Sequence, residues 1–352
     1  MKSQSVGQDF FLVVRIVVSV TVASCAFLVG AGSCLYLSDL SAPAPDAPLR
    51  ATETLWVAPD STLIPAGPEG DLIRYGKELI SHTARYLGPR GTVLRISNGI
   101  NCQSCHLRSG TKAFGNNFSS VASMYPRFRA RSGMLETIEK RVNDCLERSL
   151  NGKPLHPDSH EMRAFVAYLL WIGKDVPKGV EPPGKGTLEL SFLDRPADPS
   201  LGEKVYEKHC ITCHGKEGMG RKHRDSVEWH YPPLAGVNSY NTAAGMYRLS
   251  RLASFVKGNM PYGTTYDNPV LTDEEAWDVA AYINALPRPR REFSDDWPDI
   301  TAKPFDHPFG PFADTFPALQ HKYGPFPEII AAKARPSASR ADQPGGKIKT
   351  AR

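Results

Sequence analysis

The sequence Cys102-Gln-Ser-Cys105-His106 recurs once in this chain, as Cys210-Ile-Thr-Cys213-His214. No other stretch constrains the fold as much, because Cys-x-x-Cys-His is the attachment pattern of c-type haem. Two thiols spaced three apart add to the two haem vinyl groups, and the adjacent His lies under the iron as proximal ligand. A single Cys-x-x-Cys pair would also suit half of a zinc centre. Two copies, each completed by His, imply two covalently bound haem c groups and a chain built around them.

Compartment follows from the N-terminus. No residue is charged from Ile16 to Leu37, Lys2 and Arg15 come before, and a Pro/Ala/Ser/Asp linker follows. The stretch is longer than an ordinary signal h-region and long enough to span a bilayer. Positive charge on its N-terminal side sends the rest of the chain outward. Val22-Ala23-Ser24-Cys25 also resembles a lipoprotein cleavage box. Uncleaved anchor, cleaved signal and lipoprotein all place the body in the periplasm, where c-type haem is normally attached. Net charge is only +5 and the basic runs RFRAR and RPRR are short, so nucleic-acid binding is not indicated.

The remaining 300-odd residues read as a repeat. Asp71 to about Leu87 reads as a helix before the first motif, followed by a loop-rich stretch to Pro157. Asp158 and Glu161 form a capping-box pair ahead of Met162, Phe165, Val166 and Leu169, and Gly173 ends that helix. In the second half Ser200 and Glu203 make such a pair before Cys210. Thr272 and Glu275 make another before Ala276, Val279, Ala280 and Ile283, and Pro287 stops the run. The haem motifs are offset by 108 residues and the closing helices by 114. The pattern resembles two class I cytochrome c domains, in which the helix before the motif crosses the closing helix. Gly76 and Gly202 would permit close contact there. The expected fold is mainly α: two tandem class I cytochrome c domains with an irregular C-terminal extension. The expected boundaries are 1–40 signal peptide or anchor, 41–60 linker, 61–180 and 185–290 cytochrome c domains. A Pro/Phe-rich extension with a disordered tail takes 291–352.

The sixth iron ligand of such a domain lies shortly before the closing helix. Met260, in Gly258-Asn259-Met260-Pro261-Tyr262-Gly263, sits there in the second half, with Met219 and Met246 as rivals. The 114-residue offset carries Asn259 back onto Cys145, the one cysteine left over from the motifs and the N-terminal segment. Met124, Met134, His156 and His160 are the alternatives. Thiolate on iron lowers its potential and thioether raises it, so electrons should fall from the first haem to the second.

At Arg141-Val-Asn-Asp-Cys145-Leu-Glu-Arg-Ser149-Leu-Asn-Gly the chain resembles the dihaem thiosulfate dehydrogenases, which form tetrathionate. The likeness runs from about residue 60 to 327 and takes in Asn101-Cys-Gln-Ser-Cys-His106, Gly258-Asn-Met-Pro and Asp306-His-Pro-Phe-Gly-Pro311. It implies His106 and Cys145 as axial pair at a catalytic first haem, and His214 with Met260 at the electron-exit haem. It implies Arg131, Arg141 and Ser149 as the substrate residues, thiosulfate and tetrathionate as partners, and a soluble or membrane-bound acceptor such as a small cytochrome c. Asn259 stands where some members carry a lysine. The family includes members that also reduce tetrathionate, so the direction stays open. The chemistry suits the residues. Two dianions about 6 Å apart repel by on the order of 10 kcal/mol at an effective dielectric near 20. Arginine forks answer that need. Ser149 falls four residues after Cys145, on its face of any helix there. The rival reading is a dihaem electron-transfer subunit of another respiratory complex, which leaves Cys145 and its arginines without a task. A third is another sulfur-oxidising cytochrome. A dihaem peroxidase would need an open iron position, and none is indicated.

Overall fold

A computed structural model of the chain describes residues 54–222 and 227–334. The apolar segment Ile16–Leu37 and the tail beyond residue 334 lie outside them. The first lobe opens with helix α1, Pro68–Ser81, whose N1 proline and early Glu69 and Asp71 suit a helix start. The expected single helix to Leu87 is broken at His82 and resumes as α2, Thr83–Leu87. A hairpin of β1, Arg127–Arg129, and β2, Met134–Glu136, follows the motif. Then come α3, Ile138–Arg148, and α4, His160–Ile172. The second lobe has α5, Pro199–His209, strands β3, Arg221–Lys222, and β4, Trp229–Tyr231, and helices α6, Leu249–Asn259, and α7, Asp273–Ala285. The extension adds α8, Ala318–Tyr323, and α9, Pro327–Ala334.

The two glycines sit at the two helix crossings. A Cβ on Gly76 would lie 2.0 Å from the Ala164 carbonyl oxygen and 2.8 Å from Tyr168 Cβ. A Cβ on Gly202 would lie 1.9 Å from the Asp278 carbonyl oxygen and 2.9 Å from Tyr282 Cβ. Adding 114 to 164 and 168 gives 278 and 282, so the repeat is one of packing and not of motif alone. Leu79, Ile80, Leu146, Met162, Phe165 and Tyr168 fill the first core. Tyr206, Leu252, Trp277 and Ile283 fill the second, joined by Phe326 and Ile329 from the extension. Each such side chain contributes roughly 1.5–3 kcal/mol by burial.

Two helix starts differ from the expected caps. Ser159, not Asp158, caps α4, accepting from Met162 N–H, because Asp158 is turned out to solvent. Asp198, not Ser200, caps α5, with Pro199 fixed at N1. The stretch before Pro157 is not loop throughout: it holds the hairpin and α3. The Thr272–Glu275 pair is a full capping box.

Gly76 lies 26 residues before Cys102 and Gly202 only 8 before Cys210, a difference of 18 residues that fall in α2 and the loop that follows. That loop is stitched down by Ile96 and Ser97 N–H to the Leu87 carbonyl, Asn98 N–H to that of Leu150, and Lys153 N–H to that of Ile96. The same bonds anchor the C-terminal end of α3 beside the motif. From the second lobe, Trp229 packs on the first core and Glu228 accepts from Asn101 Nδ2 at 3.1 Å, one residue before Cys102.

Candidate redox and anion-binding site

Each motif histidine is held the same way. Nδ1 of His106 donates to the Asn116 carbonyl at 2.5 Å, and Nδ1 of His214 to the Pro232 carbonyl at 2.9 Å. This fixes the ring and leaves Nε2 for a metal, the usual outer-shell arrangement of an iron-bound imidazole. Phe118 stacks on His106 with centroids 4.3 Å apart. Burial lowers both histidines, His106 to about 4, so each is the neutral imidazole a metal needs. Cys102, Cys105, Cys210 and Cys213 are free of disulfides. Burial pushes the Cys102, Cys105 and Cys210 thiols up to about 12. Thr83 Oγ1 touches the Cys102 sulfur at 3.2 Å. Among the described residues no three His, Cys, Asp or Glu side chains converge as a zinc centre requires. Paired thiols free of disulfides beside a pinned imidazole, twice over, fit haem c.

Cys145 lies on α3, the helix capped by the Thr137 side chain at Lys140 N–H. Its charge is felt at both Cys102 and Cys105, which places it beside the first motif. Arg141 precedes it by one turn. The Cys145 sulfur raises the Arg141 guanidinium more than any other group, ahead of the opposing effect of burial. The Arg141 side chain makes no hydrogen bond or ion pair with any described residue. Arg131 sits in the β1–β2 turn, its side chain only 13% exposed. Its Nη1 donates to the Ala243 carbonyl at 3.2 Å, and its Nε lies 3.9 Å from Asp296. Burial and the nearby Arg148 lower it to about 10. Ser149 caps the end of α3, its N–H on the Cys145 carbonyl at 2.8 Å and its hydroxyl without a partner among the described residues. The structure thus brings Cys145, Arg141, Arg131 and the first motif together, with Ser149 at the next turn.

Further cations face the same place. Burial and then Arg248 lower Arg251, with Arg129 and Arg141 adding to the effect. Tyr125 is raised by burial and answers to Arg141, Arg129, Glu136 and Cys145. Arg248, Arg251 and Asp296 come from the second half of the chain, where spacing around the first motif gives no signal. Glu136 is 2% exposed and accepts from Ser132 at 2.7 Å. Among the alternative ligands, His156 and Met134 point to solvent, and His160 stacks on Tyr75 at 5.2 Å.

In the second lobe Met260 caps the C-terminal end of α6 and packs, half-buried, on the second core. Met219 is about half-exposed, at 47%. Asn259 is buried, its Nδ2 donating to the Phe114 and Phe255 carbonyls at 3.0 Å each. Phe114 belongs to the first lobe, so this amide ties the two lobes just before Met260.

Fold and motifs together define a redox protein of two cytochrome c domains. A family model described as "SoxA/TsdA, cytochrome c domain" matches residues 94–177, and one described as "Cytochrome c" matches 199–287. The chain is 39% identical to a thiosulfate dehydrogenase of Psychrobacter arcticus, over 68% of this chain and 71% of that one. It is 38% identical to one of Allochromatium vinosum, over 66% of this chain and 83% of that one. Among solved structures it resembles the thiosulfate dehydrogenase TsdBA of Marichromatium purpuratum, with TM-score 0.62 and 33% identity. That match covers 67% of this chain and 50% of the solved one, so the chain spans about half its length. The chain belongs to the thiosulfate dehydrogenase family of cytochrome c enzymes.

Proposed function

We propose that this enzyme joins two thiosulfates into tetrathionate at Cys145 and delivers two electrons to an external acceptor. The observation that carries the reading is the half-buried Arg141 guanidinium, one turn from Cys145 and beside the first motif, which makes no hydrogen bond or ion pair with any described residue. A partly buried cation without a partner is costly unless an anion comes to it. Arg141, with Arg131 across the site, suits the sulfonate oxygens of a thiosulfate dianion. Ser149 offers one more donor.

His106 and Cys145 would hold the first haem and His214 and Met260 the second; each haem would supply a one-electron acceptor, and Cys145 would have to release the iron before acting as nucleophile. The Cys145 thiolate bonds to the outer sulfur of one thiosulfate, giving a cysteine S-thiosulfonate and releasing two electrons. The outer sulfur of a second thiosulfate then attacks the sulfur that carries the sulfonate. The new S–S bond is that of tetrathionate, and the bond to Cys145 breaks with its thiolate as leaving group, as in thiol–disulfide exchange. Atoms and charge balance: two thiosulfates give one tetrathionate and two electrons. The acceptor is a small cytochrome c or a membrane-bound carrier. The body of the protein lies in the periplasm, a placement supported by the uncharged segment Ile16–Leu37 and by covalent haem. The test is acceptor reduction by purified Cys145→Gly with haem content checked first. Turnover should fall to near background while both haems stay attached. Activity within a few-fold of the parent would leave Cys145 as a tuning ligand only.

A further inference from the structure

Trp297, in the extension, has a backbone φ of +65°, in the left-handed region that a bulky side chain seldom adopts. Such strain persists only where the surroundings over-determine it, and it concentrates at functional sites. Its surroundings are the turn that carries Arg131. Trp297 N–H donates to the Arg131 carbonyl at 2.7 Å. The indole ring meets the Arg131 guanidinium, 5.3 Å from the ring centroid. On one side, Asp296 makes a two-point pair with Arg148 at 2.6 and 2.8 Å and lies 3.9 Å from Arg131 Nε. On the other, Pro298 Cγ would lie only 2.6 Å from a Cβ on Gly133, in the same turn. Three consecutive residues of the extension therefore hold the 131–133 turn by backbone, ring and charge.

We propose that Trp297 is a positioning residue for substrate binding: it aims the Arg131 guanidinium at the sulfonate of thiosulfate. Arg131 Nη1 is spent on the Ala243 carbonyl and Nε faces Asp296, while Nη2 makes no hydrogen bond with any described residue. The ring supports the guanidinium from its face without using any of its donors, as a cation over an indole does. That leaves the Nη2 edge for an anion. Arg148 and Asp144 continue the brace, with Arg148 Nε 3.7 Å from Asp144 on α3, the helix of Cys145. The extension thereby sets the spacing between Arg131 and Cys145. This proposal rests on Arg131 being a thiosulfate residue.

The test compares Trp297→Gly, Trp297→Phe, Arg131→Gln and the double variant Trp297→Gly/Arg131→Gln. Glycine takes a φ of +65° without strain, so Trp297→Gly should still fold and keep both haem spectra, with a midpoint lowered only by the lost ring packing. Its KM for thiosulfate should rise about 10-fold with kcat nearly unchanged, and Trp297→Phe should fall between, as its ring binds a cation less well. In the Arg131→Gln background the loss of the ring should add nothing further. A parental KM in Trp297→Gly alongside a raised KM in Arg131→Gln would overturn the positioning role. So would additive losses, or a lowered midpoint with unchanged KM. A parental KM in Arg131→Gln would show instead that the reading of Arg131 itself fails.

Discussion

In the proposed function Arg141 and Cys145 divide the work of one site by chemistry, the guanidinium bringing in a dianion and the sulfur forming the bond. Arginine offers a planar fork and lysine only a point charge, so Arg141→Lys keeps the charge and loses the two-point fit. Losing one charge-assisted hydrogen bond costs roughly 1.5–3 kcal/mol, or about 10- to 100-fold. Steady-state kinetics should show kcat/KM for thiosulfate falling by that factor, with the haem spectra unchanged. An unaltered kcat/KM would remove Arg141 from the substrate site. At this scale the sequence was informative wherever a residue had a repeat to be aligned with. The leftover Cys145 was legible because the 114-residue offset sets it on the residue before Met260. Trp297, Asp296 and Arg251 were not legible, since their roles arise from contacts across more than 100 residues of sequence and no motif spans them.

Helix crossings and helix ends were legible to different degrees, for physical reasons. The crossings announce themselves by glycine, because backbone meets backbone there and no side chain fits. Gly202→Ala would put a methyl 1.9 Å from the Asp278 carbonyl oxygen. Such overpacking typically costs about 1–3 kcal/mol, and here the obstacle is backbone that cannot swing aside. Thermal unfolding should show a midpoint lowered by several degrees, and Gly76→Ala should behave alike at the Ala164 carbonyl. A midpoint equal to the parent's would mean that the crossing has slack. Caps were displaced by a residue or two, because Ser159 competes with Asp158, and Asp198 with Ser200, for the same N–H groups. The α3 helix was the larger omission. Its sequence, Ile138-Glu-Lys-Arg-Val142-Asn-Asp-Cys145-Leu146-Glu-Arg148, is mostly charged, yet Ile138, Val142 and Leu146 repeat at four-residue spacing after the Thr137 cap. That faint stripe was the available signal that Arg141 and Cys145 share a helix.

The whole molecule sets two similar folds to different tasks. Both lobes pin a motif histidine through Nδ1 and cross their helices over a glycine. Only the first gathers arginines around a spare sulfur, and the second contributes part of that cluster through Arg248, Arg251 and the extension. In the proposed function the second lobe's own centre, with His214 and Met260, is left for electron exit. Met260→Gly should therefore shift the potential of one haem and slow reduction of the acceptor, while thiosulfate still perturbs the other haem's spectrum. Loss of thiosulfate binding in this variant, with acceptor reduction spared, would reverse the two roles. The account as a whole stands on the claim that substrate enters chemistry at Cys145 and that its electrons spread over two haems. The most direct test is anaerobic mixing of the fully oxidised protein with excess thiosulfate, following the haem absorption bands and the tetrathionate released. The account predicts that both haems become reduced, with one tetrathionate formed for every two electrons taken up, and that Cys145→Gly does neither. Haem reduction without tetrathionate, or parental tetrathionate yield from Cys145→Gly, would contradict it.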